Sequence, residues 1–525
     1  MQATPLTSES TNAHSQRRLL SAAAIIALGN ALSRGLGLVR DLTIAYVFGA
    51  TASTDAFVIA RALPNTLYDL LVGTVNTAAF VPVFVQYSTD REKFWRLVGA
   101  VFSLAGLAFA GLALILGLAA DPLIGIIGSG FSSSDQRELA ANLMRIALVS
   151  VVFQGLAGVL TSALYAENRF TLPAFATATY NAGIIVAILL LARPLGVTAL
   201  AVGLVIGALA QFCLQGSGLI EFWRVYRPRI DLADPGVRRI LKVAGIVAAG
   251  LTVTTLGLLI DRNLASHLPA GNVTSMEYAT RLIQFPLGIV GLAVSYAVLP
   301  TLSRHAHAAA QGDVTDYRAA LVFGLKLVLL LMLPALAILA AIPGPVIALL
   351  FQHGAFEAAD TQRTAPIFLA YLPQLPLTGV DYLLINAYYA RQNARTPVLV
   401  GVVCVGIYLV VALSTIGVLG AVGLALANAI QNSSHALILL VLLSRSLPGL
   451  RLGSALVPFL ARVVPAAALA GTAVLLLWPV LDRVGALVAV VGACAAALLL
   501  YAAMLQILGV PEARTALNIL RRKST

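Results

Sequence analysis

The chain contains about fourteen apolar segments, each long enough to cross a lipid bilayer. A spanning helix needs about 20 predominantly apolar residues, because its backbone polar groups must find their partners inside the helix. Of the 525 residues, 59% are hydrophobic and only 11% are charged, against about 25% charged in a soluble protein. The sequence therefore predicts an all-α polytopic membrane protein. The predicted segments are 19–48, 54–87, 94–119, 137–166, 171–193, 196–221, 237–267, 275–305, 317–341, 360–390, 395–417, 420–444, 455–481 and 484–508.

Several of these segments are not expected to be straight. Some exceed 25 residues, so they should tilt, bend or protrude. Proline removes a helix hydrogen bond and clashes with the preceding turn. Pro64, Pro286, Pro373 and Pro376 therefore predict kinks in the second, eighth and tenth segments. The first segment follows a polar stretch without a small-residue cleavage site, which favours a retained span over a signal peptide.

The basic residues are distributed unevenly between the two sides of the predicted membrane. About 23 of the 34 Lys and Arg residues lie in the N-terminus, the C-terminus and the even-to-odd loops, and about four lie in the opposite loops. Short loops rich in Lys and Arg stay in the cytoplasm. Both termini are therefore predicted to be cytoplasmic, and the even number of spans agrees.

An internal repeat relates the two halves of the chain. YAENRFTLP at 165–173 aligns with YARQNARTP at 389–397, an offset of 224 positions. LGVTALA at 195–201 aligns with LGAVGLA at 419–425 at the same offset. An even number of spans separates the matches, so the copies should share one orientation. The first twelve helices are therefore predicted to form two six-helix lobes around a central cavity, with two extra C-terminal helices.

This interpretation divides the chain into lobes joined by a basic linker. The plain interpretation of the linker is a cytoplasmic connector that follows the charge rule, and the alternative is an amphipathic segment that binds lipid headgroups. The predicted parts are a cytoplasmic N-terminal tail at 1–18, an N-lobe at 19–221, the linker at 222–242, a C-lobe at 237–444, helices 13 and 14 at 455–508, and a basic cytoplasmic tail at 509–525.

Charged side chains lie inside the apolar segments, where they are expensive. A charge at the centre of a spanning helix costs about 2.5–3.5 kcal/mol on the insertion scale, so such residues face a bundle interior or a hydrated cavity. Five of these charged side chains are concentrated in one stretch, residues 33–64. These are Arg34, Arg40, Asp41, Asp55 and Arg61.

Three arginines have the chemistry to bind a diphosphate. Arg34 and Arg40 lie about 120° apart around one helix, so both can line a broad cavity wall, and Arg281 adds a cation from the second lobe. A guanidinium is always charged and offers a donor fork that matches phosphate. Acidic side chains could hold these arginines in the empty site, or could form structural ion pairs that tie helices together. The residues assigned to the cavity wall or its gate are Asp41, Asp55, Arg61 and Glu277.

A second polar set could bind a coupling cation, either Na⁺ or H⁺. Asp261, Asp381 and Asn386 lie on the seventh and tenth helices, and carboxylate and amide oxygens suit a small hard cation. The alternative is that Asp261 pairs with Arg262 or Arg281. The membrane potential is a further energy source, because it acts on any step that moves net charge.

The sequence offers no sign of catalysis. It has no P-loop, HExxH or GxSxG motif, its six histidines are scattered, and the longer outer loops at 120–136 and 342–359 carry few catalytic groups. A membrane-embedded glycosyltransferase is therefore the weaker alternative. An exporter of cationic drugs should have an acidic cavity, and a non-transporting scaffold would gain nothing from buried charge.

Eight motifs resemble the MurJ/MviN family of lipid II flippases, and they occur in that family's order over roughly residues 20–445. They are SRGLGLVRD, FGAxxxTDAF (48–57), LPN (63–65), FVP (80–82), NRFTLPAF (168–175), ATRLIQFPLGIVG (279–291), LLFQHGAF (349–356) and YYARQNARTPV (388–398). The family belongs to the superfamily of multidrug, oligosaccharidyl-lipid and polysaccharide exporters.

The resemblance implies a transporter of the bacterial cytoplasmic membrane rather than an enzyme. It implies that lipid II, the undecaprenyl-diphosphate-linked peptidoglycan precursor, moves from the inner to the outer leaflet by alternating access, with helices 13 and 14 forming a groove for the lipid tail. The family's cavity arginines match Arg34, Arg40 and Arg281, and its helix-2 aspartate matches Asp55. Cell-wall synthesis proteins are the implied partners, with no cofactor beyond a coupling ion and no nucleic acid.

The sequence departs from the family pattern near the cavity. Tyr68, Asp69, Gly73 and Thr74 stand where many members have basic residues followed by Glu-Gly, and Thr280 stands where an Asp is usual. These differences keep open a flippase for another lipid-linked oligosaccharide.

Overall fold

The computed structural model describes residues 7–69, 75–310, 313–447 and 452–513, without the side chains of 7–24, 77, 246–256 and 307–310. Every regular element in these ranges is a helix. Ten helices in the described ranges are long and apolar enough to span a membrane, or eleven if one bent pair counts as a span. The prediction of an all-α polytopic membrane protein is therefore confirmed.

The chain divides into two compact units, Met1–Ala270 and Gly271–Thr525. A π-helical turn at Asn76–Phe80 precedes α4 in the first unit. The helices of the first unit are α1 (Thr7–Phe48), α2 (Ala52–Ala60), α3 (Ala62–Tyr68), α4 (Val81–Tyr87), α5 (Arg91–Leu118), α6 (Ala120–Ile127), α7 (Ser134–Ala166), α8 (Thr171–Leu195), α9 (Thr198–Ser217), α10 (Ile220–Val225) and α11 (Pro235–Ser266).

The second unit contains the remaining helices and two shorter turns. A π-helical turn at Leu287–Gly291 follows α12, and a 3₁₀ turn at Asp482–Val484 follows α20. The helices are α12 (Asn272–Pro286), α13 (Leu292–Ala310), α14 (Thr315–Ala341), α15 (Pro343–Phe351), α16 (Ala358–Tyr371), α17 (Gln374–Ala390), α18 (Arg395–Leu419), α19 (Ala421–Ser446), α20 (Leu452–Leu481) and α21 (Ala486–Ile507).

Each of the fourteen predicted segments coincides with one helix or with one interrupted helix. α1 begins at Thr7, so it extends into the predicted N-terminal tail, and α11 begins at Pro235, inside the predicted linker. The first unit includes α11, whereas the repeat would make α11 the first helix of the second lobe. The predicted lobe boundaries therefore stay a prediction. Gly73, Thr74 and the tail from 514 onward lie outside the described residues.

Proline interrupts the spans where the sequence predicts. α16 and α17 form one apolar span that bends by 46° at the break before Gln374, where Pro373 lies. This confirms the kink in the tenth segment. The π-helical turn in the eighth segment begins directly after Pro286, and the second segment is interrupted at Arg61, three residues before Pro64.

The turns at corresponding positions of the predicted repeat have matching backbone angles. Asn168 and Gln392, which are 224 positions apart, have φ angles of 58° and 57°. Non-glycine residues rarely adopt this left-handed conformation. Gly196 and Gly420, separated by the same offset, have φ angles of 55° and 56°. The helices between these turns, α8 and α18, each have 25 residues. The duplicated segments therefore fold alike, which supports the repeat.

A cluster of aromatic rings packs the start of α5 against α10 in the first unit. The centroids of Phe94 and Trp95 lie 4.6 Å apart, and those of Phe102 and Phe222 lie 5.6 Å apart in an edge-to-face arrangement. Such pairs add about 0.5–1.5 kcal/mol beyond their buried area. The cluster therefore fixes the chain after α9 against α5.

Asp90 caps the N-terminus of α5, at the membrane-surface end of that helix. Its Oδ1 accepts a hydrogen bond from the Lys93 amide at 3.2 Å, and its Oδ2 lies 2.9 Å from Lys93 Nζ. The hydrogen bond from the Lys93 side chain lowers the pKa of the Asp90 carboxyl below its ordinary value. The cap therefore stays ionised at neutral pH, which suits a helix N-terminus.

Helices α1 and α8 approach closely because of one glycine. A Cβ atom at Gly29 would lie 2.2 Å from the backbone oxygen of Ala174, which is far inside van der Waals contact. Only glycine allows the two backbones to meet at this point. This contact sets the position of the polar residues that follow on α1.

Candidate functional site

Arg40 is held by two residues of the first unit. Its Nε and Nη2 donate to Oδ1 of the neighbouring Asp41 at 3.0 and 2.8 Å, and its Nη1 donates to Oδ1 of Asn181 on α8 at 3.1 Å. Asn181 is 4% exposed, and its Nδ2 donates to the backbone oxygen of Ser33 at 3.2 Å. Asn181 therefore ties the charged part of α1 to α8.

One face of α1 carries this contact and leaves Arg34 out of it. Ser33, Gly37 and Arg40 are spaced by four and three residues, so they share a face of the helix. A Cβ atom at Gly37 would lie 3.5 Å from Asn181 Nδ2. Arg34 is rotated about 100° from Ser33 and is exposed. Arg40 is thus fixed by protein groups, whereas the guanidinium of Arg34 is accessible.

Asp55 and Arg61 occupy opposite ends of α2. Asp55 is 2% exposed and lies in the first turn of the helix, where the helix dipole favours a carboxylate. Arg61 is also buried, and its guanidinium carbon lies 5.2 Å from the centroid of the Phe57 ring. A cation over an aromatic face is stabilised by about 0.5–2 kcal/mol. Both charges are therefore built into a short, well-defined helix.

Arg281 lies in the second unit beside an acid of its own helix. Its Nη2 donates to Oε1 of Glu277, one turn earlier on α12, at 2.8 Å, and its Nη1 contacts Oε1 of Gln284 at 3.2 Å. Glu277 is buried, whereas the Arg281 side chain retains 30% exposure. Glu277 therefore neutralises the charge of the Arg281 guanidinium, while part of the side chain stays accessible to a ligand.

Asp381 contacts a histidine that the sequence interpretation did not assign to a site. Oδ1 of Asp381 on α17 lies 2.7 Å from Nδ1 of His435 on α19, and Nε2 of His435 lies 3.1 Å from the backbone oxygen of Pro397. A carbonyl oxygen only accepts, so Nε2 must donate to it. The short contact at Nδ1 then requires a second proton, on either the imidazole or the carboxyl group.

A seam of amide side chains continues from this pair between α17 and α19. Nδ2 of Asn432 donates to Oε1 of Gln374 at 2.5 Å and to Oδ1 of Asn428 at 3.1 Å. Asn428, Asn432 and His435 are spaced by four and three residues, which places them on one face of α19. The second unit therefore contains a continuous polar strip inside an apolar helix pair.

The structure separates two members of the predicted cation site. Asn386 follows Asp381 by five positions, so the two side chains leave α17 about 140° apart. Asp261 lies on α11 in the first unit and is half-buried. Among the described residues, no group of three or more His, Cys, Asp or Glu side chains is arranged to hold a metal ion. The three-residue cation site stays a prediction.

The contacts of Asn181 with Arg40 and of His435 with Asp381 could not be predicted from the positions of charged residues alone. Asn181 is a neutral amide in an apolar helix, and His435 was one of several scattered histidines. A signal was nevertheless present for His435, because Asn428, Asn432 and His435 are polar residues at helical spacing in a helix that spans the membrane. For Asn181 no comparable pattern exists.

Helices with this arrangement occur in a known class of transporters. A solved inward-facing structure of a multidrug resistance MATE family transporter of the MOP superfamily is similar, with a TM-score of 0.66, 14% sequence identity, and coverage of 80% of this chain and 94% of that one. At this identity the likeness defines the fold alone. The protein has the fold of the MOP superfamily.

The sequence places the chain in one family within that fold. A family model described as lipid II flippase MurJ matches residues 44–495. The lipid II flippase MurJ of Burkholderia cenocepacia is 32% identical over 422 residues, which cover 78% of this chain and 80% of the relative. A solved structure of lipid II flippase MurJ in an inward closed conformation has a TM-score of 0.75 and 22% identity, covering 92% of this chain and 99% of that one. The chain belongs to the lipid II flippase MurJ family.

Removing the Asn181 amide should loosen α1 from α8. We expect Asn181→Ala to destabilise the protein by about 1–3 kcal/mol, because the buried Ser33 carbonyl and the Arg40 guanidinium each lose a partner. The measurement is the thermal unfolding midpoint of the detergent-purified protein. Thr179→Ala on the same helix is the matched control, since among the described residues its hydroxyl donates only to the Phe175 carbonyl within α8. Equal midpoints for the two variants would contradict the tethering role of Asn181.

Proposed function

We propose that this protein is a lipid II flippase, which moves the undecaprenyl-diphosphate-linked peptidoglycan precursor from the inner to the outer leaflet for cell-wall synthesis. The observation that carries the proposal is the presence of Arg34, Arg40 and Arg281 in the membrane helices of a MurJ family chain. A precursor assembled on the inner leaflet and polymerised outside needs such a step between the two sets of enzymes.

The physical obstacle to translocation is the charged headgroup. A diphosphate and its sugar-peptide cannot shed water in hydrocarbon without a large loss of solvation free energy. We infer a hydrated, cationic cavity for the headgroup, with the prenyl tail left in lipid and the two lobes alternating in access. The tail would lie along α20 and α21, whose exposed apolar side chains include Leu476 and Leu499.

The three arginines would divide the work of binding. Arg34 is exposed and would meet the diphosphate first, because no protein group has to be displaced. Arg40 is fixed by Asp41 and Asn181 and would offer an oriented charge. Arg281 would exchange its contact with Glu277 for a phosphate oxygen, so the acid would hold the site ready when it is empty. Asp55 and Arg61, buried at the ends of α2, would act in the wall or the gate of the cavity.

The arginine assignment is tested in cells that depend on this protein as their sole flippase. After depletion, lipid II should disappear from the outer leaflet, as measured by an external probe. Arg34→Ala, Arg40→Ala and Arg281→Ala should each lower the rate at least about tenfold, since a charge-assisted hydrogen bond is worth about 1.5–3 kcal/mol. The lysine variants should restore only part of the rate, because an ammonium cannot bind in the forked manner of a guanidinium.

Arg193→Ala is the matched control, because Arg193 is exposed at the end of α8. It should flip lipid II at the normal rate. Normal appearance of lipid II after depletion would refute the assignment. A chain that moves a different undecaprenyl-linked oligosaccharide, but not lipid II, would establish the alternative substrate. Thr280, whose hydroxyl bonds within its own helix to Met276, would then be the first position to exchange for aspartate.

We propose further that the coupling cation is a proton held by Asp381 and His435. The 2.7 Å and 3.1 Å contacts of the His435 ring can both be hydrogen bonds only when Asp381 and His435 together hold two protons. Loss of one proton leaves a neutral imidazole with a single N–H, which can donate to Asp381 on α17 or to the Pro397 carbonyl on α18 but not to both, so one of these contacts between helices should be lost. The Asp381–His435 pair would then have two protonation states, and the change between them would favour one conformation of the lobe that contains it.

A proton-coupled mechanism can be measured in proteoliposomes. An imposed pH gradient should accelerate lipid II translocation by the wild-type protein, and His435→Gln should abolish that acceleration because an amide does not titrate. His353→Gln is the control, since His353 lies in an exposed loop. Acceleration by a sodium gradient alone would contradict the proton assignment and favour a set that includes Asp261, Asp381 and Asn386. A silent Asp381→Asn would contradict both.

We infer that the protein lies in the bacterial cytoplasmic membrane with both termini in the cytoplasm. The excess of Lys and Arg in the loops on that side supports this orientation. A green fluorescent protein fused after Thr525 should fluoresce, because it folds only in the cytoplasm. Alkaline phosphatase fused after Ser132, between α6 and α7, should be active because it needs the outer compartment. The reversed pair of results would show the opposite orientation.

A further inference from the structure

A cleft of about 480 Å³ lies in the first unit, between the first turns of α5 and the chain that follows α10. Its volume falls in the range of about 300–1,000 Å³ that is typical of small-molecule sites. None of the residues assigned above to translocation lines it. Its polar lining consists of Trp95, Glu92 and four arginines, Arg91, Arg96, Arg227 and Arg229.

One arginine of the cleft is already saturated by protein groups. Nη1 of Arg91 lies 2.7 Å from an oxygen of Glu167, and its Nη2 lies 2.5 Å from an oxygen of Glu221. The Arg91 guanidinium also lies 5.8 Å from the centroid of the Trp95 ring. Arg91 therefore forms a fixed wall of the cleft rather than a ligand-binding group.

The other three arginines keep donors available. Arg96 and Arg229 share the carboxylate of Asp231, at 3.6 and 3.8 Å, which is beyond normal hydrogen-bond distance. Arg227 is exposed, and within the described ranges it makes no recorded hydrogen bond or ion pair. A phosphate oxygen could therefore bind these groups without breaking a close protein contact.

Trp95 provides an independent sign of a ligand. The residue is 7% exposed, and its indole Nε1 is buried without an acceptor among the described residues. Buried indole N–H groups normally find one. The neighbouring Trp223 does so, because its Nε1 donates to the backbone oxygen of Gly216 at 2.9 Å. An acceptor atom of a molecule in the cleft would satisfy Trp95.

The surroundings of the cleft indicate what kind of molecule this is. Glu92 is the one acidic side chain among the lining residues, and the guanidinium and indole groups that outnumber it only donate hydrogen bonds, so the matching group is an oxyanion. The volume exceeds the need of a single phosphate ion, and large apolar side chains are exposed beside it, including Ile220, Val225 and Ile230. Exposed apolar residues next to a basic cleft are suited to a headgroup with its acyl chains alongside.

We propose that this cleft binds the phosphate headgroup of an anionic phospholipid. The site is separate from the residues assigned to translocation and goes beyond the proposed transport function. Phosphate bound there would bridge the start of α5 to the basic chain before α11. The phosphate would thereby give Arg96 and Arg229 a close anionic partner, which Asp231 does not provide at 3.6 and 3.8 Å.

The test measures phospholipid binding to the full-length protein purified in detergent, by native mass spectrometry with added phosphatidylglycerol or phosphatidylcholine. The wild type should bind phosphatidylglycerol at least about tenfold more tightly, because both lipids offer a phosphate to the arginines but the quaternary ammonium of phosphatidylcholine is repelled by them. Arg227→Gln and Trp95→Phe should each weaken that binding, with phosphatidylcholine binding unchanged. Arg227→Gln should melt at the wild-type temperature in the absence of lipid, whereas Trp95→Phe also removes packing from the aromatic cluster and should melt somewhat lower.

Two matched variants complete the experiment. Arg224→Gln removes the same charge from the exposed side of α10, outside the cleft, and Trp223→Phe removes an indole N–H that already has a partner. Both should bind phosphatidylglycerol as the wild type does. Equal binding of the two lipids by the wild type, or equal effects of the cleft and control variants, would overturn the proposal. Displacement of a reporter anion from the cleft by inorganic phosphate but not by phosphatidylglycerol would also overturn it, by showing a site for free phosphate.

Discussion

A charged side chain inside an apolar helix bundle must have a partner within reach, and this requirement shapes both units of the protein. The Arg40 guanidinium is held by Asp41 on its own helix and by Asn181 on the next one in space. That second contact exists only because Gly29 lets α1 and α8 approach closely. A glycine, which carries no charge, therefore helps to set the position of a charged side chain in the first unit.

The two halves repeat their backbone but not their chemistry. The left-handed turns at Asn168 and Gln392 correspond at an offset of 224, and α7 corresponds at the same offset to the bent pair α16 and α17. Yet Gln211 stands in the first half at the position equivalent to His435. The duplicated scaffold thus carries a histidine paired with an aspartate in one copy and an amide at the same position in the other.

The sequence predicted the helices well because long apolar runs have few alternatives in a membrane. It also located Arg34, Arg40 and Arg281, since charge in an apolar run is conspicuous. It could not supply Asn181 or the His435 partner of Asp381, because those pairings depend on which helices become neighbours. It grouped Asp381 and Asn386 with Asp261 because their oxygens suit a small cation, and that site stays a prediction.

A flippase must bind its substrate firmly enough to replace water but release it on the other side. Guanidinium groups without partners would hold a diphosphate too tightly, and fully paired ones would not hold it at all. The structure offers graded cases, with Arg34 exposed, Arg281 paired to Glu277 and partly open, and Arg40 fixed by Asp41 and Asn181. Each acidic partner lowers the net gain on binding, because its own contact with arginine must be exchanged for the phosphate. In the proposed mechanism, the pairing of arginines with acids would therefore matter to turnover as much as the arginines themselves.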